Sequence, residues 1–71
     1  MKREKEWLGS KKCDFCNTII NDILIDGKTT DGYWATMCKK CHKIHGIGKF
    51  GIGCGQKYEK NSENRFIKIE G

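Results

Sequence analysis

The first half of the chain carries two short β-prone runs on either side of a turn. Residues 19–26 read IINDILID and are rich in isoleucine, whereas residues 33–37 read YWATM. Between them lies GKTTDG, whose two glycines and aspartate are typical of a turn. Apolar side chains alternate along the second run, and three share one face: Tyr33, Ala35 and Met37. The pattern predicts a β-hairpin over residues 19–37.

A second hairpin is predicted near the C-terminal end. Residues 57–70, KYEK-NSEN-RFIKIE, have the pattern of a strand, a polar turn and a second strand. In the last run, Ile67 and Ile69 share one face and Phe66 lies opposite them.

A glycine-rich segment connects the two hairpins. Five of the nine glycines fall between Gly46 and Gly55, and each glycine costs a helix interior about 1 kcal/mol relative to alanine. We therefore predict that any helix beginning at Lys39 ends by Gly46 and that most of this segment is loop.

The N-terminal residues 1–12 are too charged to form a core element. They are predicted to be a basic lead-in, flexible or briefly helical, to a single domain of residues 13–71. Trp7 and Leu8 are the candidates for an anchor onto that domain. Neither the apolar stretch of a signal peptide nor a run of about 18 apolar residues for a transmembrane helix is present. We therefore expect a cytoplasmic protein without a membrane partner.

Composition indicates that the fold needs a cross-link. A chain of 71 residues with 37% apolar residues has few large side chains to bury, and cores of this size stabilise a fold only weakly. In a reducing cytoplasm, paired cysteines more often bind metal than form disulfides. The odd number of cysteines, five, also argues against a disulfide scaffold. Metal binding is the favoured interpretation.

Four of the cysteines form two Cys-x-x-Cys pairs with the spacing of a zinc site. CDFC and CKKC are separated by 21 residues that include the first hairpin. Each pair forms a tight turn, a zinc knuckle, that aims two sulfurs at one point, and two knuckles complete a tetrahedron. The predicted ligands of one structural zinc ion are Cys13, Cys16, Cys38 and Cys41. The same ligands would also suit iron.

These elements predict a small, metal-stabilised, mainly β domain. The favoured architecture is a zinc ribbon of two knuckles and two hairpins, and the variant is a treble clef with a short helix after Cys41. More than one helical turn over residues 39–46 distinguishes the treble clef from the ribbon. Zinc binding would supply on the order of 10–16 kcal/mol, more than so small a core provides.

Other interpretations of the cysteines and histidines are weaker. Cys38 to His42 match the c-type haem attachment pattern, which requires export and an apolar pocket. A thioredoxin-like redox pair needs a βαβ unit, for which the chain is too short. Cys54 is predicted to be a loop residue, with a ligand or a reactive thiol as the alternatives. His42 and His45 are predicted to lie beside a closed four-cysteine site, and either would become a ligand only if one cysteine did not.

The net charge of +5 is unevenly distributed. Residues 1–12 carry +3, residues 13–37 carry −3 and residues 38–60 carry +5. A basic segment suggests a polyanionic partner, commonly nucleic acid, although the lysines would also offset the negative charge of a four-thiolate zinc site. Trp34 and Phe50 are the aromatic residues expected to be exposed, and the bases of a single strand would stack on their rings. The candidate contact residues are Lys39, Lys40, Lys43, Lys49, Lys57, Trp34 and Phe50.

The sequence offers no constellation for catalysis. It contains no nucleophile–base pair and no convincing carboxylate pair. Residues 46–51, GIGKFG, match the dinucleotide fingerprint in letters but lack the strand before it and the helix after it. We predict a non-enzyme without a small-molecule substrate.

The chain also resembles short zinc-binding proteins of bacteriophage and prophage genomes. The similarity covers most of residues 13–71 and is carried by DGYWATMCKKCHKIHGIGKFGIGCGQKYEK, running on to RFIKIEG. It implies a phage or prophage origin, and hence the host bacterial cytoplasm, without implying an activity. It also motivates an alternative to nucleic-acid binding, namely a protein-binding accessory or inhibitor of a host polymerase, nuclease or defence system.

A second, partial resemblance is to HNH nucleases. CKKCHKIHG is similar to their zinc-bearing end, whose treble clef likewise uses two Cys-x-x-Cys knuckles. In that family a His-His or Asp-His step on the hairpin supplies the general base and a metal contact. This chain has DGYW at the comparable place and no histidine before His42. The resemblance therefore implies, as a further alternative, a degenerate HNH-type nuclease.

Overall fold

The computed structural model describes residues 5–71, so residues 1–4 of the predicted lead-in lie outside the described part. The elements follow one another as β1 (Ile23–Lys28), β2 (Trp34–Cys38), α1 (Lys39–His45), β3 (Gly55–Lys60) and β4 (Phe66–Glu70). The strands form an antiparallel sheet of four strands in the order β2-β1-β3-β4. The prediction of a small, mainly β fold is confirmed.

The first predicted hairpin is formed by β1 and β2. Its strand β1 begins at Ile23, later than Ile19, where the β-prone run starts. Ile19 is instead 64% exposed and forms an isolated bridge with Lys12. In the turn, Gly32 has a φ of 94°, a left-handed conformation that glycine adopts without a steric cost.

The second predicted hairpin is formed by β3 and β4. Asn61 closes its turn, because the Asn61 side-chain oxygen accepts hydrogen bonds from the backbone N–H groups of Glu63 and Arg65. The buried face of β4 is that of Phe66, whereas Ile69 is 52% exposed. The sequence pattern placed Phe66 and Ile69 on opposite faces of the strand. In the structure, the face that carries Phe66 packs on the core.

Strand β1 lies at the centre of the sheet and is buried on both faces. Leu24 and Ile25 are neighbours in the chain, and both are almost fully inaccessible to solvent. Because successive strand residues point to opposite faces, both faces of the sheet must be covered at this strand. Ile25 pairs with Met37 on one face, and Leu24 pairs with Tyr58 on the other. Buried side chains therefore lie on both faces of the sheet at β1.

Helix α1 follows β2 without a linker, and its bounds agree with the prediction that any helix beginning at Lys39 ends by Gly46. It begins at Lys39 and ends at His45, and the backbone N–H of its C-cap residue Gly46 donates to the carbonyl oxygen of His42 over 2.9 Å. A Cβ atom at Gly46 would overlap the ring of His42, so the close approach requires glycine. The helix buries Cys41 and contacts both β1 and β2.

The described part of the N-terminal segment is extended and pairs with β4. Glu6 forms an isolated antiparallel bridge with Ile67, and the Trp7 backbone N–H donates to the carbonyl oxygen of Phe66 over 2.9 Å. The Trp7 ring packs against the core, whereas Leu8 is 79% exposed. Of the two anchor candidates, only Trp7 acts as one. Within residues 5–71, no helix has both the length and the apolar character needed to cross a membrane.

Candidate metal centre

The two Cys-x-x-Cys pairs converge on one point. The Sγ atoms of the four paired cysteines all lie within 4.8 Å of one another, and those of Cys16 and Cys38 are 3.8 Å apart. A tetrahedral zinc ion with Zn–S bonds near 2.3 Å has sulfurs about 3.8 Å apart at each edge. The donor set and its spacing therefore fit a four-coordinate metal ion. The residues brought together are those predicted from the sequence: Cys13, Cys16, Cys38 and Cys41.

The first pair lies in a knuckle that is fastened to the edge of β2. Asn17 follows the pair with a φ of 62°, a left-handed conformation that asparagine tolerates, and its N–H donates to the carbonyl oxygen of Cys13 over 3.0 Å. The Asp14 N–H donates to the carbonyl oxygen of Thr36, and the Asp14 carboxylate accepts from the Thr36 N–H, both over 2.8 Å. These two hydrogen bonds hold the knuckle beside the strand that leads to the second pair.

The second pair lies at the junction of β2 and α1. Cys38 ends the strand and is the N-cap residue of the helix, and Cys41 lies in the first helical turn. This spacing places both sulfurs at the start of the helix. The Cys38 backbone N–H also points to the Cys13 sulfur, 3.5 Å away. Hydrogen bonds of this kind stabilise a thiolate ligand.

The four cysteines differ in burial. Cys13 and Cys41 are buried, Cys38 is half-buried and Cys16 is exposed. All five cysteines of the chain lie in the described part, and each is a free thiol. The disulfide scaffold considered from the sequence is therefore absent from this structure.

The thiols differ in acidity in the absence of metal. The hydroxyl of Thr18, 2.9 Å from the Cys16 sulfur, is the main cause that lowers the pKa of Cys16 to about 6. Burial, followed by contact with the other thiols of the site, raises the pKa of Cys41 to about 12. Burial also acts to raise the pKa of Cys13, but hydrogen bonds from backbone N–H groups outweigh it and lower that pKa. A metal cation at this point would favour the thiolate form of all four cysteines.

Two aromatic contacts surround the cluster. The Phe15 ring, inside the first knuckle, stacks on the imidazole of His45 with ring centroids 4.0 Å apart. The His42 ring contacts Phe50 at 5.1 Å, and burial together with the charge of Lys57 lowers the pKa of His42. Neither histidine belongs to the group of four candidate ligands. Both histidines act as packing groups beside it.

Cys54 lies outside the cluster. It precedes β3, and its carbonyl oxygen accepts a hydrogen bond from the Lys28 backbone N–H over 2.9 Å. Its thiol is half-buried and is not part of the four-cysteine group.

The predicted contact residues fall into separate places. Three lysines are exposed on α1 and, with Asp22 and Cys38, line an open depression beside the cysteines: Lys39, Lys40 and Lys43. Lys49 is exposed in the glycine-rich loop, and Trp34 is 44% exposed on the hairpin. The expectation that Phe50 is exposed is wrong. Its ring is half-buried against the core, and the Lys57 amine lies 5.7 Å from the ring centroid.

Two residues that shape the site were missed by sequence reasoning. Asp14 lies between the two cysteines of the first pair and bonds the edge of β2, whereas Thr18 follows the pair and bonds the Cys16 sulfur. The signal that could have identified them is a short polar side chain within two residues of a knuckle cysteine, because Asp and Thr readily bond nearby backbone or side-chain groups.

A shell of four thiolates leaves no position for a reactive water, so the arrangement suits a structural ion.

Comparisons of the chain with protein-family models, with curated proteins and with solved structures found no match.

Proposed function

We propose that the chain is a small structural-zinc module with the architecture of a treble clef. The supporting observation is helix α1, whose seven residues make about two turns and include Cys41. This length favours the treble clef over the zinc ribbon that the sequence suggested first.

The observation that carries the zinc assignment is the convergence of the four sulfurs within 4.8 Å. Zinc supplies a cross-link between the knuckle, the hairpin and the helix when it is bound. We favour zinc over iron because four thiolates are a common ligand set of structural zinc sites. A reducing compartment such as the bacterial cytoplasm keeps such thiols available for metal.

The module is proposed to bind nucleic acid through the exposed lysines of α1. Lys39, Lys40 and Lys43 surround one open depression and face solvent. Neighbouring amines on one helix are suited to bind the phosphate backbone, because phosphate contacts depend on charge and require no contact with the bases. The net charge of +5 adds a long-range attraction to the same partner.

A competing role for these lysines is charge balance. Four thiolates and one zinc ion carry a net charge of about −2, which the nearby amines would offset. The two roles differ in their response to salt. Phosphate contacts lose affinity steeply as salt increases because bound counterions are released, whereas charge balance within the fold requires no partner.

The test is a salt titration of nucleic-acid binding by the zinc-loaded protein. Fluorescence anisotropy with labelled single-stranded DNA, duplex DNA and RNA is measured from about 50 mM to 200 mM salt. Binding that weakens linearly on a double logarithmic plot supports the proposal. Absence of binding to all three probes at about 50 mM salt contradicts it, because phosphate contacts are strongest there.

A second candidate is a protein-binding accessory of phage origin. Two neighbouring aromatic residues favour it, since Tyr33, just before β2, and Trp34, its first residue, are 51% and 44% exposed. Exposed aromatic pairs are typical of protein interfaces. A pull-down from bacterial lysate with the protein and its Trp34→Ala variant tests this candidate: a protein retained only by the unmutated chain supports it, and recovery of nucleic acid alone counts against it.

We propose no catalytic role for the chain. The two histidines pack on Phe15 and Phe50, and the sequence has no histidine on the hairpin to serve an HNH-type reaction. Plasmid incubated with the protein and Mg²⁺ or Mn²⁺ is expected to stay intact, and nicking would reinstate the nuclease alternative.

A further inference from the structure

We propose that Cys16 and Cys38 are an oxidation site, at which hydrogen peroxide forms a disulfide that dismantles the four-cysteine metal site. This inference rests on the zinc module proposed above, and it adds a form of regulation to it.

Accessibility selects these two cysteines from the four. Cys16 is exposed and Cys38 is half-buried, whereas Cys13 and Cys41 are 0% and 5% exposed. Cys38 also lines the open depression on the helix side of the site, so it has its own access to solvent. Oxidants in solution reach exposed thiolates first. The first sulfur to react is therefore expected to be that of Cys16.

The short distance allows Cys38 to be the second partner, and its partial exposure favours it over the buried Cys13 and Cys41. The Cys38 sulfur lies 3.8 Å from that of Cys16, and a disulfide requires a separation of about 2.05 Å. The two sulfurs need to approach by only about 1.8 Å to reach that bond length. The pair joins the first knuckle to the end of β2, so the bond would link the two Cys-x-x-Cys motifs to each other.

The reaction balances with peroxide as the oxidant. The Cys16 thiolate attacks one peroxide oxygen, the O–O bond breaks, and sulfenic acid and hydroxide are formed. The Cys38 thiolate then attacks the Cys16 sulfur, the S–O bond breaks, and a second hydroxide leaves. Each sulfur loses one electron, the two peroxide oxygens gain the pair, and two protons from solvent convert the hydroxides to water.

The consequence for the site is a loss of half its ligands. Only Cys13 and Cys41 remain as thiolates after the disulfide forms, and two ligands hold a structural zinc ion far more weakly than four. Peroxide would thereby release the cross-link between the knuckle, the hairpin and the helix. A dithiol reductant with added zinc would restore it.

The experiment uses the zinc-loaded Cys54→Ser protein, which removes the thiol outside the cluster. Zinc content is measured first, and hydrogen peroxide is then added while a chromophoric chelator reports released zinc. Remaining thiols are alkylated, and the protein is cut with trypsin and an Asp-specific protease. These enzymes separate all four cysteines, with Cys16 in residues 14–21, Cys38 in residues 31–39 and Cys41 in residues 41–43.

The expected product is residues 14–21 linked to residues 31–39, with a mass loss of about 2 Da per chain and zinc release in proportion. Three results would overturn the inference: a bond inside either knuckle, a bond to Cys41, or oxidation of Cys16 with zinc retained. A protein that contains no metal before peroxide is added contradicts the proposed zinc module itself. Zinc present at the start without the expected link contradicts only the oxidation site.

Discussion

The Phe15 ring and the His45 imidazole are stacked, with centroids 4.0 Å apart and planes within 10° of parallel. Phe15 lies between the two cysteines of the first knuckle, and His45 is the last residue of α1. The contact therefore packs the first knuckle against the C-terminal end of α1, whereas Cys38 and Cys41 lie at the start of that helix.

We predict that Phe15→Ala lowers the free energy of unfolding of the zinc-loaded protein by about 1–2 kcal/mol, because a half-buried aromatic pair is lost. Urea unfolding at fixed free zinc measures the change. The control is Ile52→Ala, since Ile52 is 98% exposed and its loss should change stability by less than about 0.5 kcal/mol. Equal effects of the two substitutions would show that the stacked pair contributes nothing.

The hydroxyl of Thr18 lies 2.9 Å from the sulfur of the exposed candidate ligand Cys16. It is the largest cause that lowers the Cys16 pKa to about 6 in the metal-free protein. Above that pH the Cys16 thiol is already ionised and releases no proton when metal binds.

Thr18→Val is therefore expected to raise the pKa of Cys16 and to make zinc affinity more dependent on pH. Between about pH 6 and 8 the slope of log affinity against pH should increase by up to about one, because one more proton must leave. Competition with a chromophoric chelator across this range measures the slope. Thr30→Val, at an exposed residue of the hairpin turn, is the control, and the same slope in both variants would contradict the assigned role of Thr18.

Asp26 is a half-buried carboxylate on β1, and burial raises its pKa. In the pH interval between its unfolded and folded pKa values, the folded protein binds more protons than the unfolded chain. Stability is therefore lost as pH rises through this interval, and the full cost of the buried charge is present above it.

Asp26→Asn should thus raise the melting temperature at pH 7 by up to a few degrees. The advantage of the variant should shrink as the pH is lowered toward the pKa. Thermal unfolding of both proteins at fixed zinc over the neutral to mildly acidic range tests the sign. Asp31→Asn, in the exposed turn, controls for the loss of one negative charge, and an equal gain there would show that net charge rather than burial is responsible.

The exposed lysines of α1 are expected to carry the electrostatic part of duplex DNA binding. Replacement of Lys39, Lys40 and Lys43 by alanine should reduce the slope of log affinity against log salt by about 2.7, if each contacts one phosphate. The same anisotropy titration measures both proteins. Lys12→Ala, at an exposed position in the N-terminal segment, should reduce the slope by less than about one. An unchanged slope in the triple variant would leave these lysines only the role of offsetting the metal site.

Local sequence patterns were enough to predict both hairpins, the end of the helix and the four convergent cysteines. Each depends on residues close in the chain, such as the glycine at position 46 that ends α1 or the two-residue spacing inside each knuckle. Cys16 and Cys38 are joined through a hairpin whose own pattern is visible, so even this long-range contact could be inferred.

Contacts between distant segments could not be predicted in the same way. The pairing of Glu6 with Ile67 joins segments from opposite ends of the chain, and no local pattern in either segment specifies the other as its partner. The half-burial of Phe50 was missed because its partners, His42 and Lys57, come from a helix and a strand on either side of the loop. Residues in glycine-rich loops are placed by such partners rather than by periodicity.

The most direct test of the metal centre is a native mass spectrum of the protein purified without chelator, beside its Cys41→Ser and Cys54→Ser variants. We predict a compact protein with one zinc ion for the unmutated chain and for Cys54→Ser, and loss of the metal for Cys41→Ser, because Cys41 belongs to the four-sulfur cluster and Cys54 does not. A compact, metal-free unmutated chain, or one whose mass is lower by the hydrogens of one or two disulfides, would contradict the account.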